Sequence, residues 1–355
     1  MARVAVNGFG RIGRVFTRIA LDNPKIEIVA INDLALKGKK SGVDGTWAAH
    51  LLRWDSVYGK CNHPVTLDGD KLKVGAKTIP LFAEAEPAKL PWKTLGVDVV
   101  VEATGVFRDE EKAAPHLAAG AKKVLITAPP RGEGETKDGI LQILWRVNEH
   151  QYVQRGKPDI VSAASCTTNS LGPAVKVLHE KFGIDHAFLT TVHGYTADQR
   201  LVDAAHSDLA RARAAATNII PTSTGAARSL PAIFPELEGR IDGIAMRVPV
   251  ACGSVSDLTV KLNKPVPGAK IEDAVEAVNN AFREAARGPL GEVLEVEEDP
   301  IVSTDVIGRD HSCVVAAAYT MVLSKARDVV KILAFYDNEW GYAARLADVA
   351  SFIAS

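Results

Sequence analysis

A chain of 355 residues exceeds the size of one hydrophobic core, so about two domains of roughly 100–200 residues each are expected. Its 47% hydrophobic and 24% charged residues match soluble globular averages, and no apolar run is long enough to span a bilayer, which leaves a membrane role without support. A formal charge of −1 gives no global field for nucleic acid as a primary partner, although local arginines can still grip a small phosphate.

The first residues, Met1-Ala2-Arg3, run directly into Val4-Ala5-Val6 without the apolar stretch or cleavage site of a signal peptide, so a cytoplasmic protein is expected. Val4–Val6 reads as a buried strand. After a glycine-rich turn, Ile12, Val15, Phe16, Ile19 and Ala20 fall on one helix face that ends before Pro24, and Ile26–Ile31 is the next strand. Val97–Ala103, a helix over 109–119 strained by Pro115, and Lys123–Thr127 continue the alternation. Residues 129–139, rich in turn formers, read as a mobile surface excursion. Beyond residue 165 the strands lengthen: Phe188–Val192, Gly243–Val250 and the alternating Val255–Leu262 point to an antiparallel or mixed sheet. A helix carrying Ile271, Val275, Val278 and Phe282, the strand Lys331–Tyr336 and a helix from about Gly341 complete the chain.

Gly8-Phe9-Gly10-Arg11-Ile12-Gly13 is a G-x-G-x-x-G between a strand and a helix, the context in which backbone amides at a helix N-terminus hold a pyrophosphate. Without that context the pattern marks only a tight turn. Asp33 closes the second strand about 20 residues on, where a carboxylate can accept from the adenosine ribose and repel a 2′-phosphate. The fold class expected is α/β, a doubly wound Rossmann domain followed by an α+β domain with a mostly antiparallel sheet. Residues 1–165 form the dinucleotide-binding domain, completed by the C-terminal helix 337–355, and 166–336 form the catalytic, substrate-binding domain.

Cys61, Cys166, Cys252 and Cys313 form no C-x-x-C pair, so free thiols and no metal site are expected. Cys166 stands at the start of a helix carrying Leu171, Val175, Leu178 and Phe182, where the macrodipole favours a thiolate. An isolated cysteine is more often a small buried hydrophobe. His193, at the end of a strand and the mouth of a polar loop, is the candidate base, provided the fold brings it near.

Six blocks match a known family in order and spacing across nearly the whole chain. They are Val6-Asn7-Gly8-Phe9-Gly10-Arg11-Ile12-Gly13-Arg14, Ala164-Ser165-Cys166-Thr167-Thr168-Asn169, Thr190-Thr191-Val192-His193, Pro221-Thr222-Ser223-Thr224-Gly225-Ala226-Ala227, Ala245-Met246-Arg247-Val248-Pro249 and Tyr336-Asp337-Asn338-Glu339-Trp340-Gly341-Tyr342. The chain thereby resembles the phosphorylating glyceraldehyde-3-phosphate dehydrogenases. The resemblance implies that Cys166 attacks the aldehyde, that His193 takes the hydroxyl proton, and that inorganic phosphate releases the thioester as an acyl phosphate. It implies NAD as cofactor, contacted by Asn7, Gly8, Gly10, Arg11, Ile12, Gly13, Asp33, Thr104, Thr127, Asn338 and, less specifically, Tyr342. Thr196 and Arg247 would hold the substrate phosphate, and Ser165, Thr167, Arg211, Thr224 and Gly225 the inorganic phosphate. A homotetramer is implied as well.

Some positions depart from the family pattern. Ala163 and Ser170 replace usual residues without removing a proposed catalytic atom, Ala251, Cys252 and Ala316 are expected to alter subunit contacts, and Ala210 costs positive charge beside Arg211. Trp145-Arg146 stands where a smaller residue and glycine are usual, so the turn is expected to be rebuilt locally. The loop Leu201-Val202-Asp203-Ala204-Ala205-His206 resembles that of NADP-accepting relatives, yet Leu34 and Ala205 occupy the places where those relatives carry hydroxyls. NAD is therefore expected to be preferred, with some NADP use. Two other readings stay open at this point: an erythrose-4-phosphate dehydrogenase, and a catalytically weak paralog that binds NAD or RNA.

Overall fold

The computed structural model describes residues 1–38, 42–131 and 139–355, and the core of the expected excursion, 132–138, lies outside them. The chain divides into two compact units, one of residues 1–145, 149–164 and 343–355, the other of residues 146–148 and 165–342. Residues 337–342 thus group with the second unit.

In the first unit, β1 (Ala2–Asn7), β2 (Ile26–Asn32), β3 (Lys77–Phe82), β4 (Val99–Glu102), β5 (Lys123–Ile126), β6 (Leu141–Gln142) and β7 (Ile160–Ser162) form one sheet in the order β6-β7-β5-β4-β1-β2-β3. Every neighbouring pair along that path is parallel. The antiparallel strands Val65–Asp68 and Lys71–Val74 extend it beyond β3. Val4, Val6, Val99, Val100 and Val101 are fully buried, as central parallel strands covered on both faces require. Helix α1 (Arg11–Asp22) buries Val15, Phe16 and Ala20 as its periodicity predicts. It also buries Arg14, Thr17 and Arg18, which donate from Nη1, Oγ1 and Nη2 to the carbonyls of Phe9, Gly13 and Leu52. The helix expected over 109–119 is split into Glu110–Ala113 and Pro115–Ala118, because Pro115 offers no amide to continue the ladder.

In the second unit, α2 (Cys166–Phe182), β8 (Ile184–Gly194), β9 (Ile220–Ser223), β10 (Ile241–Val248), β11 (Ser254–Leu262), α3 (Ile271–Ala286), β12 (Leu294–Glu297), β13 (Cys313–Ala316) and β14 (Val329–Tyr336) build a mixed sheet ordered β9-β10-β8-β11-β14-β13-β12. Only the β8–β10 and β12–β13 pairs are parallel, so the sheet is mostly antiparallel, as expected. Helix α2 is buried continuously from Thr167 to Val175 and carries Pro173 within it, which a helix enclosed by protein tolerates when its neighbours hold it in place. A last helix, α4 (Trp340–Ile353), closes the chain, and among the described residues no helix is long and apolar enough to cross a membrane.

The turn at Arg146 corrects the sequence reading. It is not rebuilt: Arg146 adopts φ +64° itself, with its guanidinium paired to Glu292. A non-glycine residue in this region costs about 1–2 kcal/mol.

The fingerprint glycines divide by purpose. A Cβ on Gly13 would lie 2.1 Å from the Gly8 carbonyl oxygen, whereas one on Gly10 would meet nothing within 4 Å. Gly13→Ala is therefore expected to lower unfolding stability in urea by about 1–3 kcal/mol through overpacking, while Gly10→Ala should stay within about 0.5 kcal/mol of the wild type.

Candidate active site

The first unit carries a cleft of about 310 Å³ lined by, among others, Asn7, Gly8, Gly10, Asp33, Glu84 and Thr104. Gly8 has φ +95°, and a Cβ there would lie 2.6 Å from the backbone of Ala103 and Thr104, so only glycine lets the turn pass. Gly10 is the N-cap of α1 and offers no side-chain cap, so the first amides of a twelve-residue helix open onto space that an anion can fill. Asp33 is held by the amides of Phe9, 2.7 Å from Oδ2, and Ala35, 2.8 Å from Oδ1, which fixes its carboxylate at the end of β2. These features fit a dinucleotide.

Beneath the cleft runs a buried polar network that no sequence pattern signals. Glu102, only 1% exposed, accepts from Asn7 Nδ2 at 2.5 Å, from the Thr104 amide at 2.9 Å and from the Thr104 hydroxyl. Trp92 Nε1 donates to His116 Nδ1 at 3.0 Å, so the His116 proton sits on Nε2, which faces Glu102 Oε2 at 3.2 Å. Asn7 and Thr104 are thus oriented from behind by one carboxylate. Arg11 is drawn into an ion pair with Asp55, and Arg11, Ile12, Gly13 and Thr127 do not line the cleft with their side chains.

In the second unit, Ser165 caps α2: its hydroxyl accepts from the Thr168 amide at 3.1 Å, and Cys166 is the first helical residue. Cys166 Sγ lies 3.4 Å from His193 Nε2. His193 closes β8, and the parallel register pairs it directly with Arg247 of β10. Arg247 Nη1 approaches His193 Nδ1 to 2.5 Å and donates to the Gly194 carbonyl at 3.0 Å. The His193 ring lies edge-on to Tyr336, centroids 6.1 Å apart, and the Tyr336 hydroxyl is fixed by Thr167 and Thr191, both at 2.9 Å. Tyr336 belonged to a recognised block but carried no role in the sequence reading. Its place behind the imidazole depends on strand register.

The other expected residues are distributed as follows. Thr167 is buried with its hydroxyl turned to Tyr336, and Ser165 is occupied by capping. Arg211 is bound by Asp198, Asp208 and the Thr222 hydroxyl. The Thr224 hydroxyl accepts from the Ala226 amide, and Gly225 is exposed with open space about it. Thr196 is half-buried, its amide donating to Gln199. Asn338 is 4% exposed, and its Oδ1 accepts from the Gly253 amide at 3.2 Å and the Ser254 hydroxyl at 2.8 Å, which leaves the amide nitrogen as its outward function. Ser254 in turn accepts from the Gly194 amide, so Asn338 is tied to the residue after His193. Tyr342 is buried, as a packing residue would be.

The electrostatics reverse one expectation. Burial pushes the Cys166 thiol up, against the lowering pull of Arg247 and the amides at the helix start. Burial first, and the Arg247 cation second, bring the His193 imidazole down to about 3. Both shifts favour the neutral form, so burial opposes the thiolate that the helix dipole favours. Arg247 is itself lowered by burial and feels both Arg211 and Asp198.

Residues 2–110 match the family described as glyceraldehyde 3-phosphate dehydrogenase, NAD binding domain, and residues 165–338 match its C-terminal domain. Two matched domains, one binding a nicotinamide dinucleotide and one carrying the thiol–imidazole pair, define the class as an NAD-dependent dehydrogenase. Similar proteins include glyceraldehyde-3-phosphate dehydrogenase 1 of Bacillus subtilis, 47% identical over 99% of this chain and 98% of that protein. The glyceraldehyde-3-phosphate dehydrogenase of Geobacillus stearothermophilus is 47% identical with the same coverage, and glyceraldehyde-3-phosphate dehydrogenase 2 of Trichormus variabilis is 46% identical over 100% of this chain and 99% of that protein. The chain belongs to the glyceraldehyde-3-phosphate dehydrogenase family.

A neutral alkylating reagent reads the resting thiol. Because only the thiolate reacts and its proton is lost above the ordinary thiol range, the rate of Cys166 alkylation by iodoacetamide in the ligand-free protein should keep rising with pH. A rate already constant from about pH 6 upward would contradict this reading of the site.

Proposed function

We propose that the chain catalyses the NAD-dependent oxidative phosphorylation of glyceraldehyde 3-phosphate to 1,3-bisphosphoglycerate through a thioester on Cys166. The observation that carries this reading is the 3.4 Å approach of Cys166 Sγ to His193 Nε2 at the start of α2, with the Arg247 cation against the same imidazole. Cys166 adds to the aldehyde carbon, and the hemithioacetal oxygen develops its charge beside the α2 N-terminus, whose amides stabilise it. His193 accepts the hydroxyl proton at Nε2 as the carbon is oxidised. NAD would supply the hydride acceptor when bound; Asn7, Gly8, Gly10, Asp33 and Thr104 would hold it, and Asn338 and Tyr342 are further proposed cofactor residues.

Arg247 and Thr196 bind the substrate phosphate, with Arg247 anchoring by charge. Ser165, Thr167, Arg211, Thr224 and Gly225 receive the inorganic phosphate that attacks the thioester. In that role Arg211 must exchange its aspartate partners for the incoming anion, which makes the loss of charge at Ala210 felt. Among the described residues the cleft lining contains Asp33 and Glu84 and no Lys or Arg, which supports NAD over NADP, because a 2′-phosphate would be set against carboxylates. A homotetramer is supported by exposed apolar residues: Phe188 and Ile244 share one sheet face, and Leu201 and Leu209 stand 80% and 83% exposed.

NADH formation measured with glyceraldehyde 3-phosphate, with and without inorganic phosphate, tests the reading. Turnover should require phosphate, fall by about 10³-fold or more in Cys166→Ser, and fall by about 10²–10⁴-fold in His193→Asn. Erythrose 4-phosphate should be the poorer aldehyde, and activity indifferent to phosphate would point to a hydrolytic enzyme. Cofactor choice is measured separately: kcat/KM with NAD should exceed that with NADP by about 10²-fold, and Asp33→Ala should narrow the gap.

A further inference from the structure

Asn7 closes β1 and Glu102 closes β4, and the parallel register sets the two residues directly opposite each other. The chain leaves β1 for β2 on one side, and β4 flanks β1 on the other, so the strand order reverses between β1 and β4. The carboxyl ends of these two strands frame the crevice where a doubly wound sheet receives its ligand. A carboxylate at that point is an unexpected neighbour for a pyrophosphate. Glu102 is only 1% exposed, and among the described residues it has no Lys or Arg partner to offset its charge.

Donors converge on it instead. Oε2 accepts from Asn7 Nδ2 at 2.5 Å and from His116 Nε2 at 3.2 Å, and Oε1 accepts from the Thr104 amide at 2.9 Å and from the Thr104 hydroxyl. His116 can only donate there, because Trp92 already donates to its Nδ1. Asn7 Oδ1 in turn accepts from Asn32 Nδ2 at 2.7 Å, and Asn32 Oδ1 accepts from the Glu84 amide at 2.9 Å. The bonds from Glu84 through Asn32 and Asn7 therefore all point one way and end on Glu102. An end group that can only accept fixes which way both asparagine amides are turned. Glu84, Asn32, Asn7 and Thr104 all line the cleft, while Glu102 stands behind them.

We propose that Glu102 is a positioning residue for the dinucleotide, setting the affinity of the cleft by fixing the amides of Asn7 and Asn32 and the place of Thr104. The inference rests on the reading in which Asn7 and Thr104 hold NAD, and it adds the residue that holds them. Charge and position predict opposite signs here. As a bare charge, a carboxylate behind the cleft repels an anionic pyrophosphate, so its removal would tighten binding. As the acceptor that ends the line, its replacement by an amide sets an N–H against a donor and loosens the lining, so binding weakens.

The dissociation constant of NAD, measured by isothermal titration calorimetry on the full chain, reads that sign. In Glu102→Gln, which keeps the shape and removes the charge, it should rise about tenfold to a hundredfold in protein whose circular dichroism matches the wild type. KM for NAD should rise with it, while kcat at saturating NAD should stay within about threefold. An unchanged or lowered dissociation constant overturns the proposal, as does a fall in kcat with KM for NAD unaltered.

Glu102→Asp carries the test where the amide variant does not fold. It keeps a carboxylate but is one methylene shorter, so it cannot reach both pairs of donors, and it should weaken NAD binding about three- to tenfold. Wild-type affinity in this variant overturns the proposal. Coupling gives a further check: with the hydroxyl removed by Thr104→Val, part of the path is already cut, so Glu102→Gln should cost less affinity than in the wild type, and an equal cost in both backgrounds overturns the path. Wild-type protein that binds no NAD would sink the reading of the cleft itself, whereas wild-type binding left untouched by Glu102→Gln sinks only this inference.

Discussion

The register of β8 between β10 and β11 is the constraint on which the second unit's chemistry depends. A strand presents alternate residues to opposite faces, so a slip of one position would turn His193 away and bring Val192 in its place. Parallel pairing with β10 sets His193 beside Arg247, and antiparallel pairing through β11 to β14 brings Tyr336 to the same end of the sheet. Arg247 and Tyr336, each 54 or more positions away from His193, are thereby fixed around its imidazole. The sulfur arrives from a different direction, at the start of α2, where Ser165 ends the preceding loop and caps the helix.

Burial and the helix dipole act on the thiol in opposite directions, and burial wins. A charged thiolate loses hydration when enclosed, a penalty that commonly exceeds what a helix terminus returns. The same enclosure disfavours an imidazolium, with the Arg247 cation adding to the effect. Both shifts favour uncharged groups, and a ligand that alters the local charge would alter that balance. Arg247 is the natural point for that change, because it is the cation felt by Cys166, His193 and Tyr336 alike.

The first unit solves a different problem. A cleft for a dianionic cofactor has a carboxylate directly behind it, and among the described residues buried Glu102 has no Lys or Arg partner. Donors from Asn7, Thr104 and His116 saturate its oxygens, which offsets desolvation and at the same time fixes the two cleft residues, Asn7 and Thr104. Trp92 settles the tautomer of His116 by its single donor. In the second unit, Arg146 adopts a left-handed backbone in a place that commonly calls for glycine.

The sequence by itself determined what depends on neighbours in the chain. Periodicity placed α1, the parallel strands of the first unit and the long strands of the second, the glycine spacing marked the dinucleotide turn, and the recognised blocks identified Cys166, His193, Arg247 and Asn338 as the residues to follow. Tertiary structure decided what depends on neighbours in space. The Cys166–His193 distance, the Arg247–His193 register pair, the Glu102 network and the division of Asn338 between its Ser254 and Gly253 partners all arise from strand order and packing. Protonation state belongs to this second group as well. A helix terminus can be read along one dimension, but the water that a folded core removes from a thiol or an imidazole cannot, and here that removal outweighs the local signal.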